Sequence, residues 1–144
     1  MSQEQRNMER IERWAHLYNT EVTRMINECY TEDTVVDCPN ALLVRGRRAF
    51  TALEEAVLAA APWRWCRIDR TVAEGNVVAV LATLFDPDQG DEFQTRFCSV
   101  LTFNEDGLVT NDTAFIDATR WPMPSDVAER LAGLDVEWKV PVEA

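Results

Sequence analysis

A chain of 144 residues has room for one domain, and a domain of that length buries roughly 70% of the surface its unfolded form exposes. Fourteen basic against 25 acidic residues leave a net charge of −11, which repels phosphate backbones and anionic lipid and so argues against nucleic acid or a membrane as partner. A hydrophobic share of 47%, with five Trp and six Phe, supplies a core and leaves aromatic area for the wall of a cavity.

The stretch from Met1 to Arg13 is charged and polar, without the apolar centre of an export signal. No run approaches the roughly 18 apolar residues that a membrane span requires, so a cytoplasmic protein is expected. From Met8 onward apolar residues recur with helical period at Ile11, Trp14, Ala15, Tyr18, Val22, Met25, Ile26 and Cys29. One face of this segment is therefore buried, and Asn19-Thr20-Glu21 divides it into two helices, with Thr20 as the expected cap of a second one ending near Tyr30. Thr34 to Cys38 reads as a short β-branched strand stopped by Pro39-Asn40, followed by a loop to Gly46. Phe50, Leu53, Val57 and Leu58 then mark a third helix from Arg47 to Ala60, which Pro62 closes.

The second half changes period. Arg64–Ala73, Val77–Phe85, Phe93–Phe103 and Leu108–Asp117 read as four strands, separated by the turn sequences Glu74-Gly75-Asn76, Asp86 to Asp91 and Asn104-Glu105-Asp106-Gly107. Short turns between successive strands make an antiparallel meander. Ser125 is the expected cap of a last short helix to Leu131, and Leu134 to Ala144 carries no strong pattern. Helices followed by a twisted sheet give an α+β fold in one domain, 1–144, with a core of about 10–121 and a C-terminal helix and tail at 122–144. Because Val77, Ala79 and Leu81 make one face of a strand as apolar as Val78, Val80 and Ala82 make the other, a homodimer through the outer sheet face is expected.

Three segments in order carry a resemblance: Cys29-Tyr30-Thr31-Glu32-Asp33-Thr34-Val35-Val36-Asp37-Cys38-Pro39, then Arg45-Gly46-Arg47, then Phe103 to Val109 followed by Phe115-Ile116-Asp117. With the order of elements they resemble the nuclear transport factor 2-like superfamily, and within it the SnoaL-like proteins related to ketosteroid isomerases and polyketide cyclases. The resemblance implies a cone-shaped, curved antiparallel sheet wrapped by N-terminal helices, a cystatin-like α+β barrel around an apolar pocket. It implies no cofactor. It also places Cys38 at the isomerase base, Trp14 and Ser99 at its oxyanion-hole positions, and Tyr30 at the supporting tyrosine. The Arg-x-Asp pair of limonene epoxide hydrolase falls in the apolar run Leu81 to Leu84, and its other aspartate falls on Ala114, so that activity is discounted.

The resemblance further implies that Asp112, Ala114 and Ile116 turn into the pocket, on one face by the period of a strand. Asp112, walled by Trp14, Phe97, Leu101 and Ile116, is thus the leading acid-base candidate, and the competing reading is a solvated carboxylate at a strand end. The Trp14 indole N–H donates either to a ligand oxygen or to a backbone acceptor in a packed core. Tyr18 and Tyr30 share the ambiguity between pocket donor and packed ring. Ser99 is a weak donor or merely a small residue that leaves room; Val36, Leu53, Phe97 and Leu101 supply apolar wall, and Glu54 is a rim candidate or a solvated helix residue.

Cys38 reads as a buried inert thiol, because no histidine partner is evident, and His16 as a surface residue. One histidine and no cysteine cluster leave no zinc site. The segment Asp86 to Glu92 departs from a calcium loop in its glycine spacing and reads as a solvated hairpin tip. Two functions remain open. In one, the domain is a cofactor-independent isomerase, cyclase or lyase of a polyketide, terpenoid or steroid-like molecule; in the other, it is a ligand-binding or dimerisation module without chemistry.

Overall fold

A computed structural model describes residues 1–140, apart from the side chains of residues 91–93. Helix α1 runs Gln3–Thr20 and opens on a capping box, in which the Ser2 hydroxyl accepts from the Gln5 backbone N–H and the Gln5 side chain accepts from that of Ser2. It therefore starts a turn and a half ahead of the apolar stripe that marks it in the sequence. Helix α2, Val22–Cys29, follows after a break at Glu21. Thr20 does not cap it: its hydroxyl donates to the His16 carbonyl 2.8 Å away, within the turn of α1 that it ends.

Strand β1 (Tyr30–Cys38) continues directly from α2 and starts four residues before the expected Thr34. The loop expected after Pro39-Asn40 contains β2 (Leu42–Arg45), antiparallel to β1, and α3 (Gly46–Ala60) then begins at a glycine with φ of +87°. The meander follows as expected: β3 (Trp65–Glu74), β4 (Val77–Asp86), β5 (Gly90–Phe103) and β6 (Val109–Phe115). Helix α4 is only Val127–Arg130, and its cap position falls on Asp126 rather than Ser125, without a side-chain hydrogen bond. In the tail, β7 (Val136–Trp138) pairs with β2; residues 141–144 of that tail lie outside the described part.

The seven strands form one sheet in the order β3-β4-β5-β6-β1-β2-β7. It is not wholly antiparallel, because β1 lies parallel to β6. Between Tyr30 and Val35 the register slips, and there the hydroxyls of Thr31 and Thr34 donate to the Val109 carbonyl in place of the regular ladder. The sheet curls without closing, since β3 and β7 remain as two edges. Its concave face carries Val78, Val80, Ala82 and Leu84 of β4, with Leu101 and Phe103 of β5, all buried against α1, α2 and α3.

Candidate functional site

The parallel pairing of β1 with β6 decides where the acid-base candidate sits. Asp112 stands opposite Val36 on one side and opposite Leu101 of β5 on the other, so the row across three strands is valine, aspartate, leucine. Asp112 is 4% exposed, which overturns the solvated alternative. One oxygen, Oδ2, accepts a hydrogen bond of 2.7 Å from the Tyr30 hydroxyl, while Oδ1 has no partner. Burial pushes the carboxyl from its usual 3.8 up to about 6, against an opposing pull from the hydroxyls of Tyr30 and Ser99.

Tyr30 is held from three directions. Its ring packs edge-on against Phe50 at 4.9 Å, its carbonyl accepts from the Arg47 guanidinium, and its hydroxyl accepts the Trp14 indole N–H at 2.9 Å. A relay therefore runs from Trp14 on α1 through Tyr30 on β1 to Asp112 on β6. The acceptor for Trp14 is thus neither a ligand nor the backbone, but a tyrosine 16 residues on.

A second polar group lies across the cavity. Tyr18 and Glu54 both line it; Glu54 Oε2 has no hydrogen-bond partner, and the Tyr18 hydroxyl has none but the Arg64 guanidinium, which acts to lower its pKa. Glu54 is 8% exposed, so it is neither on the rim nor solvated; the helical period of α3 places it beside Leu53 and Val57 on the inner side. Burial pushes its carboxyl from 4.5 to about 7, with the Arg64 charge pulling down and Asp112 adding to the rise. Arg64, on the turn into β3, is itself 5% exposed and lays its guanidinium 4.2 Å from the centre of the Tyr18 ring. Burial, and next the charge of Glu54, raise the Tyr18 phenol well above 10, so it remains a hydroxyl and a donor.

These two polar ends share one apolar cavity of about 50 Å³. Val36, Cys38, Leu53, Phe97, Ser99, Ala114 and Ile116 line it together with the four polar residues Tyr18, Tyr30, Glu54 and Asp112, and with Trp14. Leu101 alone among the expected residues does not reach it; it is wholly buried and flanks Asp112 from outside the wall. Cys38 is a protonated thiol, pushed up to about 12 by burial and then by the neighbouring carboxylates. His16 is exposed. At the Asp86 hairpin tip the aspartate side chain accepts from the Asp88 backbone N–H, an ordinary turn.

Periodicity misses part of the wall of this cavity. Trp121 and Met123, beyond the last meander strand, also line it, and the Trp121 ring meets Phe97 edge-on at 5.2 Å. Their segment has no regular structure, so neither helical nor strand period marks it. Arg64 is missed for another reason: the sequence reads it as the first residue of a strand, and only the structure shows its guanidinium buried against the Tyr18 ring.

A family model for the SnoaL-like domain matches residues 11–111. The chain belongs to the SnoaL-like family. No curated protein matches it by sequence. Among solved structures, the SnoaL-like chain is similar to a candidate SnoaL-like polyketide cyclase from a Jannaschia species, at 18% identity over 86% of this chain and 97% of that one, with a TM-score of 0.70. It is similar to a candidate isomerase of the SnoaL-like family from Agrobacterium tumefaciens, at 19% identity over 78% and 97% with a TM-score of 0.66. A third similar structure is an epoxide hydrolase of the limonene-hydrolase-like kind from Mycobacterium tuberculosis, at 18% identity over 83% and 89% with a TM-score of 0.64. At these identities the likeness speaks for the fold, which is the cystatin-like, nuclear transport factor 2-like α+β architecture.

Proposed function

We propose that this SnoaL-like domain, residues 1–144 acting as one unit, binds a small hydrophobic cyclic molecule of polyketide, terpenoid or steroid type and acts on it without a cofactor, as an isomerase, cyclase or lyase. Asp112 is the acid-base group. The observation that carries this reading is its divided carboxylate: Oδ2 is fixed by Tyr30, while Oδ1 is buried without a partner and its residue lines the cavity. A carboxyl lifted to about 6 gains or loses a proton readily near neutrality, which is where general acid-base catalysis is most efficient. Trp14 and Tyr30 orient the carboxylate, and the Tyr18 hydroxyl is the donor left for a developing oxyanion.

One dimension favours a second reading. An apolar cavity of roughly 150 Å³ holds a benzene ring, three times the 50 Å³ found here. A ring-sized ligand thus enters only when Trp121 and Met123 swing out; if they stay in place, the domain is a binding or dimerisation module whose pocket is filled by its own side chains. A homodimer through the outer sheet face belongs to either reading. No helix among the described residues is long and apolar enough to cross a membrane.

Native mass spectrometry of the purified chain, followed by turnover of the retained compound with wild type and Asp112→Asn, tests the proposal. A loss of roughly 100-fold or more in kcat is expected from removing a positioned acid-base group. Undiminished turnover by the variant removes Asp112 from the mechanism.

A further inference from the structure

A cation lies beside this cavity with its charge unanswered. Arg64, on the turn from α3 into β3, is 5% exposed, and its Nε and Nη2 are both buried without a hydrogen-bond partner. Those two nitrogens form one edge of the guanidinium, the fork whose parallel N–H bonds match the two oxygens of a carboxylate. The Tyr18 ring occupies the face of the group, with its centre 4.2 Å from the guanidinium carbon, and leaves the edge unused. Among the described residues no carboxylate stands within ion-pair distance of Arg64. Glu54 feels its charge, yet burial outweighs that pull and holds the Glu54 carboxyl at about 7, so near neutrality much of it is uncharged. A buried charge left unpaired is strongly destabilising, and two donors free on one edge are most simply satisfied by an acceptor that the cavity admits.

Arg64 stands one side chain behind the cavity wall: Tyr18 and Glu54 line the wall, and Arg64 lies against the first and acts on the second. No hydrogen bond ties the Tyr18 hydroxyl or Glu54 Oε2 to any group other than Arg64, so either side chain is free to turn aside and open the edge.

We propose that Arg64 is the anchor for a carboxylate on the ligand, so that the molecule bound here is a hydrophobic acid. This inference rests on the cavity being a ligand site and narrows the class of that ligand; it does not depend on which residue moves a proton. The carboxylate lies side-on to Nε and Nη2, accepting one hydrogen bond from each, and the apolar body runs along the cavity toward Asp112. The Tyr18 hydroxyl remains for an oxygen at the reacting centre. A phosphate or sulfate fits less well, since its oxygens beyond the two that the edge satisfies would face apolar wall. Asp112 and the ionised fraction of Glu54 repel an acid placed elsewhere in the cavity, so the Arg64 end fixes the orientation of the ligand as well as its class.

The test titrates cyclohexanecarboxylate and its uncharged isostere cyclohexanecarboxamide into the full chain, with nitrogen NMR following the Arg64 Nε–H and the Trp14 indole N–H. Wild type is expected to bind the carboxylate about 10-fold or more tightly than the amide, because a bidentate charged pair forms with one and not with the other. The Arg64 resonance is expected to move with the carboxylate alone, and the Trp14 resonance with both compounds. Arg64→Met removes the donors and the unpaired charge together; it is expected to fold and to bind the two compounds equally. Arg64→Lys keeps the charge without the fork and is expected to lose most of the preference. A wild type that binds both alike, or an Arg64 resonance unmoved by saturating carboxylate, overturns the inference and leaves the cavity reading standing. So does a preference that survives in Arg64→Met or is undiminished in Arg64→Lys. If neither compound moves the Trp14 indole, ring-sized molecules do not enter and both readings fall.

Discussion

Tyr30 shows most clearly how one side chain organises the site. Its hydroxyl is at once acceptor for Trp14 and donor to Asp112. Tyr30→Phe therefore strands a buried indole N–H and removes the hydrogen bond that Asp112 Oδ2 accepts. The cost expected is about 1–3 kcal/mol in a urea melt. Because the Tyr30 hydrogen bond holds the Asp112 carboxyl down, the variant raises it further, which carbon NMR of the aspartate reads directly. A second residue-scale prediction concerns pH. Glu54 is raised from 4.5 to about 7 in the folded chain. Below the lower value both states are protonated and ionisation of Glu54 makes no difference to stability; as pH rises toward 7 the unfolded chain ionises first, so stability is lost on the alkaline side. At about 1.36 kcal/mol per unit, a rise of this size is on the order of 3 kcal/mol. Glu54→Gln is expected to recover much of that at pH 8 and little at pH 4, by denaturant melts at both. Asp112 was legible as a pocket candidate because strand period and the resemblance agree on its face, while its burial, against a solvated strand end, came only with the structure. Glu54 was not, because a single glutamate at an inner helical position looks like any solvated one until Tyr18 and Arg64 are seen beside it.

Elements long enough to repeat a period were legible in the residues; elements made by pairing were not. Three strands of the meander, β3, β4 and β5, run ten residues or more, and turns containing Gly or Asn separate them from their neighbours. Strands β2 and β7 have four residues and three, too few to show alternation, and exist because β1 and then β2 offer an open edge. The same absence of period conceals what guards the opposite edge. Asn19, near the C-terminus of α1, donates its amide to the Cys66 carbonyl at 2.9 Å and accepts from the Cys66 N–H at 2.7 Å, so one side chain serves edge strand β3 as a neighbouring strand would. Asn19→Ala leaves both backbone groups of a buried residue without those partners. A loss of about 1–3 kcal/mol is expected, with hydrogen exchange at Cys66 accelerated well beyond that at Val80 in the sheet centre. Equal protection at Cys66 in both proteins would show that the edge is held by packing alone.

At the scale of the whole molecule, the convex face of the sheet is the feature that one chain leaves unfinished. Register places Arg70, Leu81, Cys98 and Phe115 in a single row across β3, β4, β5 and β6. Leu81 is 41% exposed and Phe115 52%, and Val72 nearby is 51% exposed. Arg67, Asp69 and Arg96 border this row, so an apolar strip has a charged rim of both signs, the composition on which the proposed homodimer rests. Apolar residues on both faces of β4 are what led the sequence to suggest an exposed apolar face, whereas the row across four strands needed the register. A second copy related by a two-fold axis would lay the strip on itself, each Phe115 reaching the partner's strip, while Arg67 and Asp69 meet their opposites at the rim. Sedimentation velocity is expected to give twice the 16.4 kDa of one chain. Leu81→Asp with Phe115→Asp would bring four carboxylates into the dimer centre, and the double variant is expected to sediment as a monomer. Its intrinsic fold should change little, since both side chains already reach solvent and exposed substitutions typically shift stability by about 0.5 kcal/mol or less. A wild-type chain that stays monomeric at high concentration would leave the strip without a partner of its own kind.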